Sequence, residues 1–294
     1  MQYRKGLRLR HPLVPDWEVG EVLEDSTADT VKIFFVGAGE KKLCLRELEL
    51  EIVNGDDAKH PILDNLKISA EQRLKFRSLP ESIRRFLGEF PGGFYDDKFT
   101  AQRRDHKLLA RRSMAALLGK APFKSLLDEK RYDEIYDRAL EVVNLTNQIC
   151  PNEKKSFKNG LDSDGNKQRF SEVLYFHLFG DADLKRRFLH FCEFLAEIKA
   201  AKWTIATYFL FLTYPDRYMF VKPTVIDHAA DICAFDIKYR SELNCATYKG
   251  VLRFSEFLRQ ALGDLKPRDM IDVESFIGCI KPDKIHKRFE NKAK

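Results

Sequence analysis

The stretch Trp203-Thr204-Ile205-Ala206-Thr207-Tyr208-Phe209-Leu210-Phe211-Leu212 is apolar all the way round a helical wheel. A helix without a polar face has to be covered on every side, so this segment predicts the central helix of a sizeable helical domain. It falls well short of the ~20 residues that a bilayer demands, and Thr204 and Thr207 interrupt it, which excludes a membrane span. Helical spacing continues before it over 98–118, 122–130, 132–150, 167–179 and 184–200, with Gly119 and Gly180 standing where helix C-caps would sit. After it, Pro223 can open a helix, Gly263 can end one that begins near Thr247, and Pro267 can open the last. At the near end of this region, Ser69 and Gln72 have capping-box spacing, followed by Leu74, Phe76 and Leu79 before Pro80 interrupts.

The first fifty residues keep a different period. Leu7, Leu9 and His11 alternate with Arg8 and Arg10, and Val31, Ile33 and Phe35 alternate with Lys32 and Phe34, the repeat of strands with one buried face. Gly20, the Gly37-Ala38-Gly39 turn and Leu43-Cys44-Leu45 complete a short meander. Such short strands enclose only a small core, and an SH3-like barrel is the economical way to close them. Asn54-Gly55-Asp56-Asp57 then breaks the repeat. The expected fold is α+β: a small N-terminal β-barrel over 1–55, a linker over 56–68, and a predominantly α-helical domain over 69–294 ending in a basic tail.

With 294 residues, 44% of them hydrophobic, the chain can bury a core of one large domain or two, which excludes disorder for most of it. Its 51 Lys and Arg exceed 45 Asp and Glu by six, but residues 281–294 hold six cations against two anions and so supply four of those charges. Bulk charge therefore pulls only weakly towards a polyanion, and a nucleic-acid function has to rest on where the charges stand. The six cysteines are scattered without a C-x-x-C pair and read as reduced, mostly buried thiols. The opening MQYRKGLRLRH has no signal-peptide hydrophobic region, and the expected location is the cytoplasm.

The strongest charge pattern follows Pro91-Gly92-Gly93-Phe94-Tyr95-Asp96. Arg103, Lys107 and Arg111 are four apart, Arg104 and Arg112 broaden the same side, and only Asp105 opposes them. That face either holds phosphates or is a solvated surface paired with acids elsewhere. Lys154, Lys155 and Lys158 form a second basic group after Thr146-Asn147, and Lys185-Arg186-Arg187 a third. Lys222, between Val221 and Pro223 just before a new helix, is either a desolvated amine or a side chain that snorkels to water. Asp269 and Asp272, in the first turn of a helix, read as dipole complementation. The Asp162-Ser163-Asp164-Gly165 loop fails as a calcium site, with Lys167 and Val173 where Gly and Glu are needed, and reads as a solvated turn. No H-E-x-x-H, Walker loop or nucleophile elbow occurs, and neither a metal nor a cofactor is expected.

Two resemblances follow from these residues. His11-Pro12, Asp16-Trp17-Glu18-Val19-Gly20-Glu21-Val22-Leu23 and the run from Val31 through Gly37-Ala38-Gly39 to Leu43 resemble the Tudor/SH3-like modules appended to bacterial DNA-acting proteins, which implies contact with nucleic acid or a protein partner. Gly92-Gly93-Phe94-Tyr95-Asp96, Arg104-Asp105-His106-Lys107, Thr146-Asn147 with Glu153-Lys154, Phe220-Val221-Lys222-Pro223, and Pro267-Arg268-Asp269-Met270-Ile271-Asp272-Val273-Glu274-Ser275-Phe276 resemble a bacterial family close to anti-phage DNA glycosylases, distantly similar to the helix-hairpin-helix DNA glycosylases. In that superfamily a hairpin and its following helix precede a short Val-Asp segment that opens another helix and carries the catalytic Asp. Here 204–212 matches the helix and Val221-Lys222-Pro223-Thr224 the segment, with two departures: no glycine lies between Gly180 and Gly250, and Lys222 falls at or beside the Asp position.

The resemblance implies a glycosylase that extrudes a modified base, such as glucosylated hydroxymethylcytosine of phage DNA, from double-stranded DNA and leaves an abasic site. The expected backbone contacts are Arg103, Arg104, Lys107, Arg111, Asn147, Lys154 and Thr224, and the base pocket Tyr95 and Trp203. Lys222 would attack the anomeric carbon, or Asp227, one helical turn later, would stabilise the sugar cation. The alternative is a non-catalytic DNA-binding adaptor of a repair or defence system.

Overall fold

The computed structural model describes residues 2–46, 48–68 and 76–280. The Ser69/Gln72 capping box, Leu74 and the basic tail over 281–294 lie outside the described residues. The chain divides into two compact units, one of Met1–Glu89, Asp227–Asp236 and Cys279–Lys294, the other of Phe90–Ile226 and Ile237–Gly278.

In the first unit, β1 (Arg8–Arg10), β2 (Val19–Glu24), β3 (Thr30–Phe35), β4 (Gly39–Cys44) and β5 (Glu51–Ile52) form one antiparallel sheet in the order β4-β3-β2-β1-β5. The period-two residues do the expected work: Leu9, Val22, Val31, Ile33 and Phe35 are buried with Tyr3 and Leu50. A side chain at position 20 would drive a Cβ to 2.7 Å from both Ile33 and Phe35, so Gly20 lets β2 and β3 approach over this core. Phe34, on the alternate face, is buried as well and meets Phe76 edge to face at 5.0 Å.

The 56–68 stretch, expected as a linker, is an integral part of this unit. Ile62 and Leu63 are buried, Leu66 bridges Phe235, and backbone hydrogen bonds run from Asp236 to Asn65 (2.7 Å), from Lys67 to Ala234 (3.1 Å) and from Arg77 to Ile232 (3.0 Å). Those bonds fasten 227–236 to the sheet-bearing unit, so the division does not fall at residue 69. Pro80 opens α1 (Leu79–Glu89) in its first turn, where its missing N–H costs nothing.

The second unit contains α2 (Asp105–Leu118), α3 (Lys120–Asp128), α4 (Tyr132–Asn144), α5 (Pro151–Gly160), α6 (Asp164–Phe179), α7 (Leu184–Glu197), α8 (Trp203–Thr213), the start of α9 (Pro223–Ile232), α10 (Cys245–Ala261) and α11 (Met270–Ile277). Helix α8 is the centre: every residue from Trp203 to Leu212 is buried, and it packs on α2, α6 and α7. Each fully buried Phe or Leu there contributes about 1.5–3 kcal/mol of apolar transfer. Among the described residues no helix is long and apolar enough to cross a membrane.

Two local results depart from the periodicity. The stretch over 132–150, expected as one helix, is helical only to Asn144 and continues as a loop, because Pro151 forces Cys150 into an extended conformation and opens α5, whose Glu153 carboxylate accepts the Cys150 N–H at 3.2 Å. Between α7 and α8 a Schellman turn puts Lys199 at φ 56°, with Ala200 N–H donating to Leu195 O at 2.8 Å. The helical hairpin is thus made without a glycine, a left-handed lysine taking its place.

Candidate active-site cleft

Asp96 starts the first wall of the cleft. Its carboxylate accepts the N–H groups of Gly92 (3.1 Å), Lys98 (2.9 Å) and Phe99 (3.3 Å), with the Gly92 bond the largest influence holding its pKa below the usual carboxylate range. The chain then runs through a π-helical turn, Thr100–Arg104, before entering α2. The wide turn separates two adjacent arginines: Arg103 stays half-exposed and Arg104 points inside.

Arg104 is buried against Asp269 and Asp272, bidentate to the first (2.7 Å on both oxygens) and 2.8 Å from the second. Burial opposes its charge, yet its hydrogen bond to Asp269 and the fields of both carboxylates raise the guanidinium above its ordinary pKa. Asp272, fully buried, also accepts the Arg268 backbone N–H (2.9 Å) and its Nε (2.8 Å). Arg268 in turn donates to Phe94 O at 2.6 Å and stacks its guanidinium 4.8 Å from the Tyr95 ring centre. Asp269 caps α11 by accepting the Ile271 N–H at 3.0 Å, so the pair does more than complement a dipole. This closed knot removes Arg104 from the expected DNA-contacting face, because its donors are already matched inside the protein.

The second wall is the loop between α4 and α5. Tyr208 of α8, its hydroxyl pushed up to about 12 by burial, donates to Val142 O at 3.0 Å and accepts from Thr146 at 2.8 Å. Lys154 donates to Thr146 O at 2.8 Å, and burial lowers its pKa. Lys154 therefore braces the loop from behind, while Asn147 projects into solvent and Gln148 is buried beside it. The third wall precedes α9: the Thr207 hydroxyl donates to Trp203 O (2.7 Å) and accepts the Val221 N–H (2.9 Å), which fixes the non-helical Met219–Lys222 run. The Lys222 carbonyl then accepts the Val225 and Ile226 N–H groups at 3.0 Å and starts α9. The Lys222 side chain is exposed, so the fold does not desolvate it between Val221 and Pro223.

These walls and α11 enclose a cleft of 490 Å³, within the roughly 300–1,000 Å³ of ligand pockets. Arg103, Lys107, Asn147 and Lys222 line it, as do Gln102, His106, Gln148, Phe220 and Glu274, which the sequence pattern does not single out as site residues. Glu274 is the single carboxylate among the described lining residues. Lys107 is buried rather than solvated: its Nζ is ion-paired with Glu274 and hydrogen-bonded to the Ser275 hydroxyl at 2.8 Å. Burial lowers the pKa of His106, Lys107 pushes the same way and Glu274 pulls back, which leaves the imidazole uncharged at neutral pH. The cleft thus brings together cationic groups, side-chain amides and one carboxylate.

The remaining expected residues lie elsewhere. Arg111 and Thr224 are exposed but do not line the cleft, and Asp227 belongs to the unit that carries the sheet. Tyr95 is 58% exposed and carries Arg268 on its ring, outside the cleft lining. Trp203 is a core residue rather than a pocket wall: it is buried, stacks on Phe188 and donates its Nε1–H to Arg240 O at 3.1 Å. Burial pushes the Cys192 and Cys233 thiols up to about 12, while Cys44 and Cys150 are exposed. Comparison with protein-family models, curated proteins and solved structures finds no match for the chain.

Proposed function

We propose that this cleft receives a nucleobase extruded from DNA and that the protein is a DNA glycosylase, cleaving the bond between a modified base and its sugar. The observation that carries this reading is the convergence on one cleft of Arg103, Lys107, Asn147, Lys222 and Glu274, drawn from four separate stretches of chain. Base excision needs a charge for the backbone and hydrogen-bonding groups for a base edge, and Arg103 with Lys222 and Asn147 with Gln102 offer these in turn. The order helix, hairpin, helix, non-helical segment and helix over α7, α8, Lys222 and α9 supports a relation to helix-hairpin-helix glycosylases. Exposure of Lys222 favours a role in stabilising charge over a role as amine nucleophile, so borohydride is expected to trap no adduct.

For the N-terminal sheet we propose an SH3/Tudor-like module that engages DNA or a protein partner. Its support is the return of β5 to pair with β1, which carries the meander back to its first strand. Incubating the protein with phage DNA containing glucosylated hydroxymethylcytosine and with unmodified DNA, followed by mass spectrometry of released bases and an abasic-site probe, tests the activity. Release of the modified base together with abasic sites is the expected result. Salt-sensitive binding without release would instead make the chain a DNA-binding adaptor.

A further inference from the structure

We infer that Glu274 is the catalytic carboxylate of this cleft, the group that activates water against the sugar; the assignment rests on the glycosylase reading above. Three observations converge on it. It is the single acid among the described lining residues, in a cleft otherwise walled by cations and neutral polar groups. Its two oxygens are in different situations: Oε2 is held by Lys107, whereas among the described residues Oε1 has only the long 3.5 Å approach of Gln148 Nε2 and so retains acceptor capacity. It also shares with Lys222 both the cleft and a small crevice next to it, which puts the carboxylate beside the exposed cation that would meet the DNA backbone.

The surroundings of Glu274 are rigid in the way a reacting group requires. Helix α11 is anchored by Asp269 and Asp272 in the Arg104 knot, and the Ser275 hydroxyl, which binds Lys107, donates to Ile271 O at 2.7 Å. Lys107 is thus a positioning residue, buried and divided between Glu274 and Ser275. In the reaction a water hydrogen-bonded to Oε1 attacks C1′ of the extruded nucleotide. The C1′–N bond breaks with its electron pair passing to the base nitrogen, which takes a proton from solvent. The water oxygen bonds to C1′, its proton passes to Glu274, and Glu274 returns that proton to solvent. The products are free base and an abasic sugar bearing the hydroxyl of that water, with no other reactant consumed.

The test is single-turnover base release by the full chain from duplex DNA carrying glucosylated hydroxymethylcytosine, with DNA binding measured by anisotropy and folding by thermal melting. Glu274→Gln, which keeps an acceptor for Lys107, is expected to slow release about 10²–10⁴-fold while affinity stays within about threefold. Glu274→Ala is expected to be as slow, and added formate to restore part of its rate by supplying the missing carboxylate, an effect that a purely structural glutamate would not show. Release by Glu274→Gln within tenfold of the wild type overturns the assignment. So does a Glu274→Ala protein that folds and binds but is not rescued by formate. Absence of release by the wild type removes the glycosylase reading and this assignment with it, whereas an active wild type beside an active Glu274→Gln removes the assignment alone.

Discussion

The Arg104 knot and the cleft beside it are built from the same residue types on the same elements, and they end in opposite states. In the knot, Arg104 and Arg268 meet Asp269 and Asp272 one for one, all four hydrogen-bonded. In the cleft, Arg103, Lys107 and Lys222 line an open space together with Glu274, the one carboxylate among its described lining residues. Buried charges persist only when matched, so the knot can do little except hold α11, the Gly92–Tyr95 corner and the start of α2 together. Cations lining an open cavity give an anion a place to bind. Adjacent arginines, 103 and 104, are therefore one functional candidate and one structural pin.

The largest expected effect tests that pin. Arg104→Ala leaves Asp269 buried without its guanidinium partner and Asp272 with Arg268 alone, and should lower the unfolding free energy by about 3–5 kcal/mol in denaturant titration. A loss below about 1 kcal/mol would show that the knot is not what holds α11.

His177 shows what burial does to an ionisable group that has no counter-charge. It is fully enclosed in α6, stacked on Phe191 at 4.7 Å, and burial lowers its pKa to about 3. Between the unfolded value near 6.5 and about 3 the unfolded chain binds a proton that the folded chain refuses, so stability falls as pH drops through that window. The slope reaches about 1.4 kcal/mol per pH unit. From pH 7 to pH 5 the wild type should lose about 2 kcal/mol more than His177→Phe, measured by melts of both proteins; equal losses would mean that His177 is protonated in place.

Lys222 should behave in the contrary way to Arg104. Lys222→Ala is expected to leave the denaturation midpoint within about 0.5 kcal/mol of the wild type, as for an exposed side chain. Its DNA affinity should weaken, and the slope of log affinity against log salt should become shallower by about 0.9, the share of one phosphate contact. An unchanged slope would place Lys222 away from the backbone and towards the base.

Much of the fold could be read from local pattern. Leu9, Val31, Ile33 and Phe35 announced the sheet, and the all-round apolar Trp203–Thr213 helix announced the centre of the second unit. The breaks were harder: the helix expected to reach Cys150 stops at Asn144, and Lys199 turns a hairpin where a glycine is expected. The site was legible in part. Arg103, Lys107, Asn147 and Lys222 come from charge spacing and motif resemblance, whereas Glu274, although inside the 267–276 stretch that carries the resemblance, is not marked as a site residue by local pattern because its partner Lys107 lies 167 positions away. Trp203 and Arg104 misled for one reason: a large aromatic and an arginine look alike in sequence whether they face a ligand or the core.

Periodicity and chain breakers thus decide the elements, because they act over a few residues and need no knowledge of what lies opposite. Whether a charge is spent inside the protein or left for a ligand is decided by partners distant in sequence and by rotation of the backbone at one π turn. The carboxylates that claim Arg104 lie 165 and 168 positions further on, and only the folded chain brings them to it while leaving Arg103 at the cleft.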